Sequence, residues 1–118
     1  KVKLPFEPSV IAQKVSVSAL MDTDFVAKSL EVNNSGKMYL KDILKTNSIK
    51  FFDSATNFLM IEMAGNAKQF CDFMLSNGII LRHLDSFGLK DCIRISIGSM
   101  EELDAFNNAV QNFFYEVK

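Results

Sequence analysis

Apolar residues recur along this chain with two different periods, and the switches between them mark out its elements. Behind Ser99, the residues Leu103, Phe106, Val110, Phe113 and Val117 fall every three or four positions, which places them on one stripe of an α-helix. Ser99 and Glu102 stand at the spacing of a capping box, in which each side chain accepts a backbone N–H of the other residue, so the helix is expected to start there. Ala67, Phe70, Cys71 and Met74 repeat in the same way until Asn77-Gly78, and glycine readily takes the left-handed backbone that ends a helix. A longer helix is predicted to run to about Lys45 from Asp22 or Thr23, either of which can cap it. Inside it Asn33-Asn34-Ser35-Gly36 has the composition of a turn. Phe25, Val32, Tyr39 and Ile43 nevertheless keep a helical phase across that cluster, with Gly36 on the same face, so one helix is expected with Gly36 admitting a close neighbour.

Four apolar runs have strand length instead: Ile49 to Asp53, Asn57 to Met63, Ile79 to Leu84 and Cys92 to Ile97. Ser54-Ala55-Thr56 leaves room only for a turn between the first two, and alternation puts Phe58, Met60 and Glu62 on the opposite face from Leu59, Ile61 and Met63. The first segment is ambiguous. Pro5 and Pro8 hold Lys1 to Glu7 extended, and Pro8 suits a first helical turn because its missing N–H would have no partner there. Ile11, Val15 and Ala19 then follow at helical spacing up to Leu20 and Met21, but Val15, Val17 and Ala19 also alternate with Ser16 and Ser18 as in a half-buried strand. The order predicted in outline is two N-terminal helices, then strand-strand-helix-strand-strand-helix. That is an α+β fold, a small and mostly antiparallel sheet with helices packed on one face. Its parts divide as 1–47, the N-terminal helices, and 48–118, the sheet-and-helix layer.

Composition narrows the function. The 118 residues are 48% apolar and include 11 phenylalanines, enough for one domain with its own core. A net charge of −1 without a basic stripe argues against nucleic acid. The longest apolar runs, such as Phe58 to Ile61, fall far short of the roughly 20 residues that span a bilayer, and no export leader is recognisable. Cys71 and Cys92 belong to no paired or metal-binding motif and read as buried free thiols of a cytoplasmic protein. With a single histidine, no metal site of the usual kinds is expected.

The basic residues are unevenly chosen. Eleven of the 13 are lysines scattered along the chain, whereas both arginines, Arg82 and Arg94, lie in short apolar runs joined by a polar loop. Arginine is preferred to lysine where a planar fork grips a carboxylate or phosphate through two parallel hydrogen bonds. Two such forks on neighbouring strands could clamp one anion. Equally, the arginines could be strand-end residues paired with Asp85, Asp91 or Glu62.

Four stretches carry a family resemblance: Leu-Pro-Phe-Glu-Pro-Ser-Val-Ile-Ala-Gln at 4–13, Ala-Thr-Asn-Phe-Leu at 55–59, Gly-Ile-Ile-Leu-Arg at 78–82, and Cys-Ile-Arg-Ile-Ser-Ile-Gly with Ser-Met-Glu-Glu at 92–102. In order and spacing the chain resembles the C-terminal small domain of fold-type I, pyridoxal-phosphate-dependent aminotransferases of the histidinol-phosphate branch. The resemblance implies that the first segment is a helix and the second helix continuous. It implies that Arg94 grips the acidic group of the substrate, that Arg82 assists with the phosphate, and that Asn57 orients backbone near the site. Where the family commonly has proline after the first arginine this chain has His83, an ionisable residue whose proximity to the clamp leaves the substrate's identity open. The resemblance further implies a cytoplasmic homodimer with an amino-acid or phosphate substrate, built from this domain and its own large domain. The lysine that attaches pyridoxal 5'-phosphate and the aspartate on its ring nitrogen belong to that large domain and match no position here, so the chain alone is expected to be inactive. A threonine-phosphate decarboxylase or an aromatic aminotransferase of the same fold is compatible with the same residues. A third possibility, of a different class, is a stand-alone non-catalytic small-molecule-binding domain.

Overall fold

The computed structural model describes residues 6–116; most of the extended leader predicted over Lys1 to Glu7 and the stripe residue Val117 lie outside that range, and within it Phe6 takes a left-handed turn at φ 64° in place of the extended backbone expected. Contacts divide the chain into two units, one ending at Glu31 and the other starting at Val32. In the first, the ambiguous segment is a helix, α1 (Val10–Met21). It begins at Val10, so Pro8 lies before the first turn and not in it, and Ser9 is the cap: the Ser9 hydroxyl accepts the Ala12 N–H at 3.1 Å. Ser16, one of the residues that suggested strand alternation, turns its hydroxyl back to the Ala12 carbonyl at 2.7 Å, a bond that only a helix offers. Helix α2 (Thr23–Thr46) follows, and of its two candidate caps Asp22 serves, its carboxylate accepting the Phe25 N–H at 2.9 Å. None of the described residues in this unit is buried. Val10, Ile11, Val15, Val17, Leu20, Met21 and Phe25 are between 60% and 78% exposed, so the stripe expected on α1 covers nothing within the unit.

The second unit contains the rest of α2, then β1 (Lys50–Phe52), β2 (Phe58–Glu62), α3 (Ala67–Ser76), β3 (Arg82–His83), β4 (Cys92–Ser96) and α4 (Met100–Glu116). A short 3-10 turn, Asp85–Phe87, interrupts the loop between β3 and β4. The four strands form an antiparallel sheet in the order β1-β2-β4-β3. Leu59 and Ile61 of β2 and Ile93 and Ile95 of β4 point to one face, where α2, α3 and α4 supply Leu40, Leu44, Phe70, Met74, Phe106 and Phe113 to a single core. The Phe70 ring meets Phe113 edge-on at 5.0 Å and Phe106 at 6.5 Å, the geometry that aromatic quadrupoles prefer. This is the α+β layer expected, with helices on one side of the sheet.

Two elements differ from expectation. The strand predicted from Ile79 to Leu84 is reduced to Arg82 and His83. Gly78, at φ 78°, ends α3 as foreseen, but the Ile79 N–H then donates to the Met74 carbonyl at 2.9 Å. The chain thus stays tied to the helix end and reaches the sheet only at Arg82. On α2, the buried stripe is Gly36, Leu40, Ile43 and Leu44, while Phe25 and Val32 are 66% and 50% exposed. Tyr39 sits at the stripe's margin, its hydroxyl donating to the Asp104 carboxylate on α4 at 2.6 Å; this bond to the carboxylate raises the phenol's pKa.

Gly36 has the role anticipated for it. A Cβ there would lie 2.6 Å from Ile97 Cγ2 and 3.3 Å from both the Gly98 carbonyl and Leu103 Cδ1, so α2 rests directly on the junction of β4 and α4. The capping box is formed too: the Ser99 N–H donates to Glu102 Oε2 at 2.7 Å and the Glu102 N–H to Ser99 Oγ at 3.3 Å. Replacing Gly36 by alanine should therefore destabilise the chain by about 1–3 kcal/mol through overpacking. That loss outweighs the gain of up to ~1 kcal/mol that alanine brings to a helix interior. Urea unfolding of Gly36→Ala beside Asn34→Ala, an exposed neighbour, measures the difference, and a stabilised Gly36→Ala would contradict the close approach of α2.

Candidate functional site

Strand parity decides what each face of the sheet can do. In β4, Ile93 and Ile95 are buried, so Cys92, Arg94 and Ser96 project from the other face. Residues directly opposite in an antiparallel pair share a face. Arg82 is opposite Arg94, Met60 is opposite Arg94 on the other side, and Phe58 is opposite Ser96. The face away from the helices therefore carries Phe58, Met60, Arg82 and Arg94, and its two arginines are immediate cross-strand neighbours.

Like charges in that position repel, and no carboxylate among the described residues relieves them. Glu62 pairs with Lys50 at 2.5 Å, and Asp91 accepts the Gly65 N–H at 2.9 Å. Among the described residues neither arginine has an ion-pair partner, which removes the alternative of ordinary strand-end salt bridges. Each guanidinium instead lies over an aromatic ring: Arg94 Cζ is 5.1 Å from the centre of Phe58, and Arg82 Cζ is 5.9 Å from that of Phe87. Both arginines are exposed. Their donors are open to a ligand.

The other candidate residues are placed differently. His83 is opposite Ile93 and so belongs to the helix-side face, where its Nε2 lies 2.7 Å from the Lys90 carbonyl and ties β3 to the following loop. Asn57 immediately precedes β2, and its carbonyl accepts the Ile97 N–H at 2.8 Å, extending the β2–β4 ladder by one rung. The turn before it is well anchored. Lys37 donates to the Ser54 carbonyl at 3.0 Å, Ser54 and Thr56 share a hydroxyl hydrogen bond of 2.6 Å, and Lys41 forms an ion pair with Asp53. The hydrogen bond from Lys41, followed by its charge, lowers the pKa of the Asp53 carboxyl.

Cys71 and Cys92 are free thiols, half-buried rather than buried, because Cys71 lies on the flank of α3 and Cys92 on the open face. Burial raises the Cys71 pKa, which makes it a poor nucleophile at neutral pH. A cleft of about 480 Å³ opens where residues 79–81 diverge from the end of β4. Its lining is mainly apolar, and the one ionisable residue there, Glu102, is committed to the helix cap. No group of three side chains suited to a metal occurs among the described residues. None of the described lysines or carboxylates is buried. The two supporting rings escaped the sequence reading. Phe58 could have been found from alternation alone, since it lies diagonally across from Arg94 on the same face; Phe87 could not, because only the 3-10 turn brings it to Arg82.

The domain is thus an α+β layer that buries one sheet face and presents an uncompensated arginine pair from the other. The chain belongs to the aminotransferase class I and II family, whose sequence pattern matches residues 1–110. It is 32% identical over 114 residues to histidinol-phosphate aminotransferase 2 of Legionella pneumophila, an alignment covering 97% of this chain and 31% of that protein. It is 36% identical over 110 residues to histidinol-phosphate aminotransferase of Oleidesulfovibrio alaskensis, with coverage of 90% and 29%. The chain therefore spans about 30% of the length of these relatives. In three dimensions it matches a crystal structure from Erwinia carotovora atroseptica, provisionally assigned as a histidinol-phosphate aminotransferase, with a TM-score of 0.78 over 86% of this chain and 29% of that one at 18% identity. That similarity shows a shared fold. No helix among the described residues is long and apolar enough to cross a membrane.

Asp53 gives a check on the turn that leads into Asn57. Its folded pKa is lowered, so its contribution to stability is present above the ordinary carboxylate pKa and is lost as pH falls through the lower folded value. An NMR titration should place the Asp53 midpoint below that of an unperturbed aspartate, and Lys41→Gln should return it; a midpoint unmoved by Lys41→Gln would mean that the ion pair does not form in solution.

Proposed function

We propose that residues 1–118 are the substrate-clamping small domain of a pyridoxal-phosphate-dependent aminotransferase, with 1–47 as its N-terminal helices and 48–118 as its sheet layer. The whole protein transfers an amino group between histidinol phosphate with its keto partner and glutamate with 2-oxoglutarate. One observation carries the clamp: Arg82 and Arg94 stand directly opposite each other, and among the described residues no carboxylate forms an ion pair with either. Two adjacent guanidinium groups left uncompensated form a favourable place for a dianion, which satisfies both forks and cancels their repulsion. The family and the names of the relatives favour a phosphate-bearing amine over other anions.

In this reading Arg94, on a central strand, is the main anion ligand and Arg82, on the edge strand, the second. Holding the acidic end of the substrate at two points fixes where its amino-bearing carbon lies, and that positioning is this domain's contribution to rate. The cofactor, when bound, supplies the electron sink for the chemistry. Its lysine and its ring-nitrogen acid are assigned to the large domain. Asn57 holds β2 in register through its backbone, and His83 acts on the loop and not on the anion. The exposed apolar residues of α1 and early α2 favour packing against the large domain and a second subunit in a homodimer. Free thiols favour the cytoplasm.

In the full-length protein, Arg94→Lys keeps the charge but loses the fork, and the KM for histidinol phosphate should rise about ten- to hundred-fold, the range for a lost charged hydrogen bond. An unchanged KM would remove Arg94 from the site. The isolated 118-residue chain mixed with pyridoxal phosphate should show no turnover and no stoichiometric lysine adduct by absorbance and mass; a one-to-one adduct at a single lysine would place the cofactor on this chain after all.

A further inference from the structure

The rings beside the arginines are hard to explain as core residues. Phe87 is 68% exposed at the end of the 3-10 turn, and Phe58 projects from the face of the sheet that the helices leave uncovered. Each ring nonetheless lies within reach of one guanidinium, at 5.1 Å for Phe58 with Arg94 and 5.9 Å for Phe87 with Arg82. We propose that Phe58 and Phe87 are positioning residues for the arginine pair. They aim the two forks and hold two like charges in place before an anion arrives. This rests on the clamp reading above.

The chemistry explains why rings are used. A carboxylate would also hold an arginine, but it would occupy the N–H groups that the substrate needs and would compete with it by charge. The negative face of a ring attracts the cation through its quadrupole while leaving the donors at the guanidinium edge free. Long arginine side chains lose rotamer freedom when they bind, and a support that restricts them beforehand reduces that loss at the moment of binding.

The supports are themselves fixed. Phe58 follows Asn57, whose carbonyl is bonded to the Ile97 N–H, so its place opposite Ser96 is set by the ladder. Phe87 is held by a closed loop. The Leu84 N–H donates to the Cys92 carbonyl at 3.0 Å, the Phe87 N–H to the Leu84 carbonyl at 2.9 Å, and Gly88 turns the chain at φ 78°. His83 closes the same loop through its 2.7 Å contact with the Lys90 carbonyl. The histidine that departs from the usual family residue thereby acts on Arg82 indirectly, by setting the loop that carries Phe87.

The test uses the full-length enzyme with histidinol phosphate. Phe58→Leu and Phe87→Leu should each raise KM roughly 3- to 30-fold and leave kcat within about twofold, the signature of lost binding that is equal in ground and transition states. Phe58→Tyr and Phe87→Tyr keep the ring face and should stay near the parent values. In an Arg94→Gln background Phe58→Leu should add no further rise, and likewise Phe87→Leu in Arg82→Gln, because no guanidinium is left to position. A merely structural role would lower kcat as well and would add in either background. A ring whose leucine variant leaves KM unchanged, is not rescued by tyrosine, or adds to the glutamine variant loses the assignment. If Arg94→Gln raises KM while both leucine variants are silent, only the positioning role falls; if Arg94→Gln is itself silent, the clamp reading falls.

Discussion

The open face of the sheet depends on one constraint, the register of β4 between β2 and β3. Cys-Ile-Arg-Ile-Ser has a strict period of two, so a slip by a single residue would move Ile93 and Ile95 into water and turn Arg94 into the core. Burying an unpaired guanidinium costs several kcal/mol, and the exposed isoleucines would add to the penalty. The arginine is therefore presented outward by its apolar neighbours. Nothing about the arginine itself need favour the arrangement.

That register is secured from both ends. Beyond the last rungs of β2 and β4, the Ile97 N–H reaches the Asn57 carbonyl and the Met63 N–H reaches the Asp91 carbonyl, each at 2.8 Å. Past Ile97 the chain enters α4 through the Ser99–Glu102 box, while α2 presses its one glycine against the same junction. Helix, strand end and cap thus meet at Gly36, Ile97 and Gly98. A residue of any larger size at Gly36 would push on the strand that carries Arg94, so a glycine inside a helix has a bearing on how that arginine is presented across the sheet.

Periodicity made most of this legible. The capping box, the α4 stripe, the glycine after α3 and the alternation of β2 and β4 were all readable because each is set by neighbours within a few residues. What the sequence did not reveal depends on contacts made elsewhere. The strand before Leu84 was overestimated because its apolar residues fit a strand, whereas the Ile79 N–H is held by the end of α3. His83 was expected beside the clamp from its position in sequence, but one step along a strand reverses the face. The face of α2 was read through Phe25 and Val32, although the buried stripe begins at Gly36. The freedom of the arginines from carboxylates could not be read at all, since Glu62, Asp85 and Asp91 were all plausible partners until Lys50 and the Gly65 N–H were seen to engage two of them.

The first unit poses a different problem: periodicity left α1 open between helix and strand, and its surface is unexplained from within. Apart from Lys14 and Gln13, α1 consists of small or apolar residues distributed round the whole helix. Helices of that kind are ordinarily enclosed by protein on more than one side, yet this unit buries none of its described residues. Nothing within the unit covers them, and the chain spans about 30% of the length of its relatives. The second unit differs, since it completes its own core and presents two arginines from the open face of its sheet. The same kinds of apolar residue that fill that core stay at the surface of the helices in the first unit.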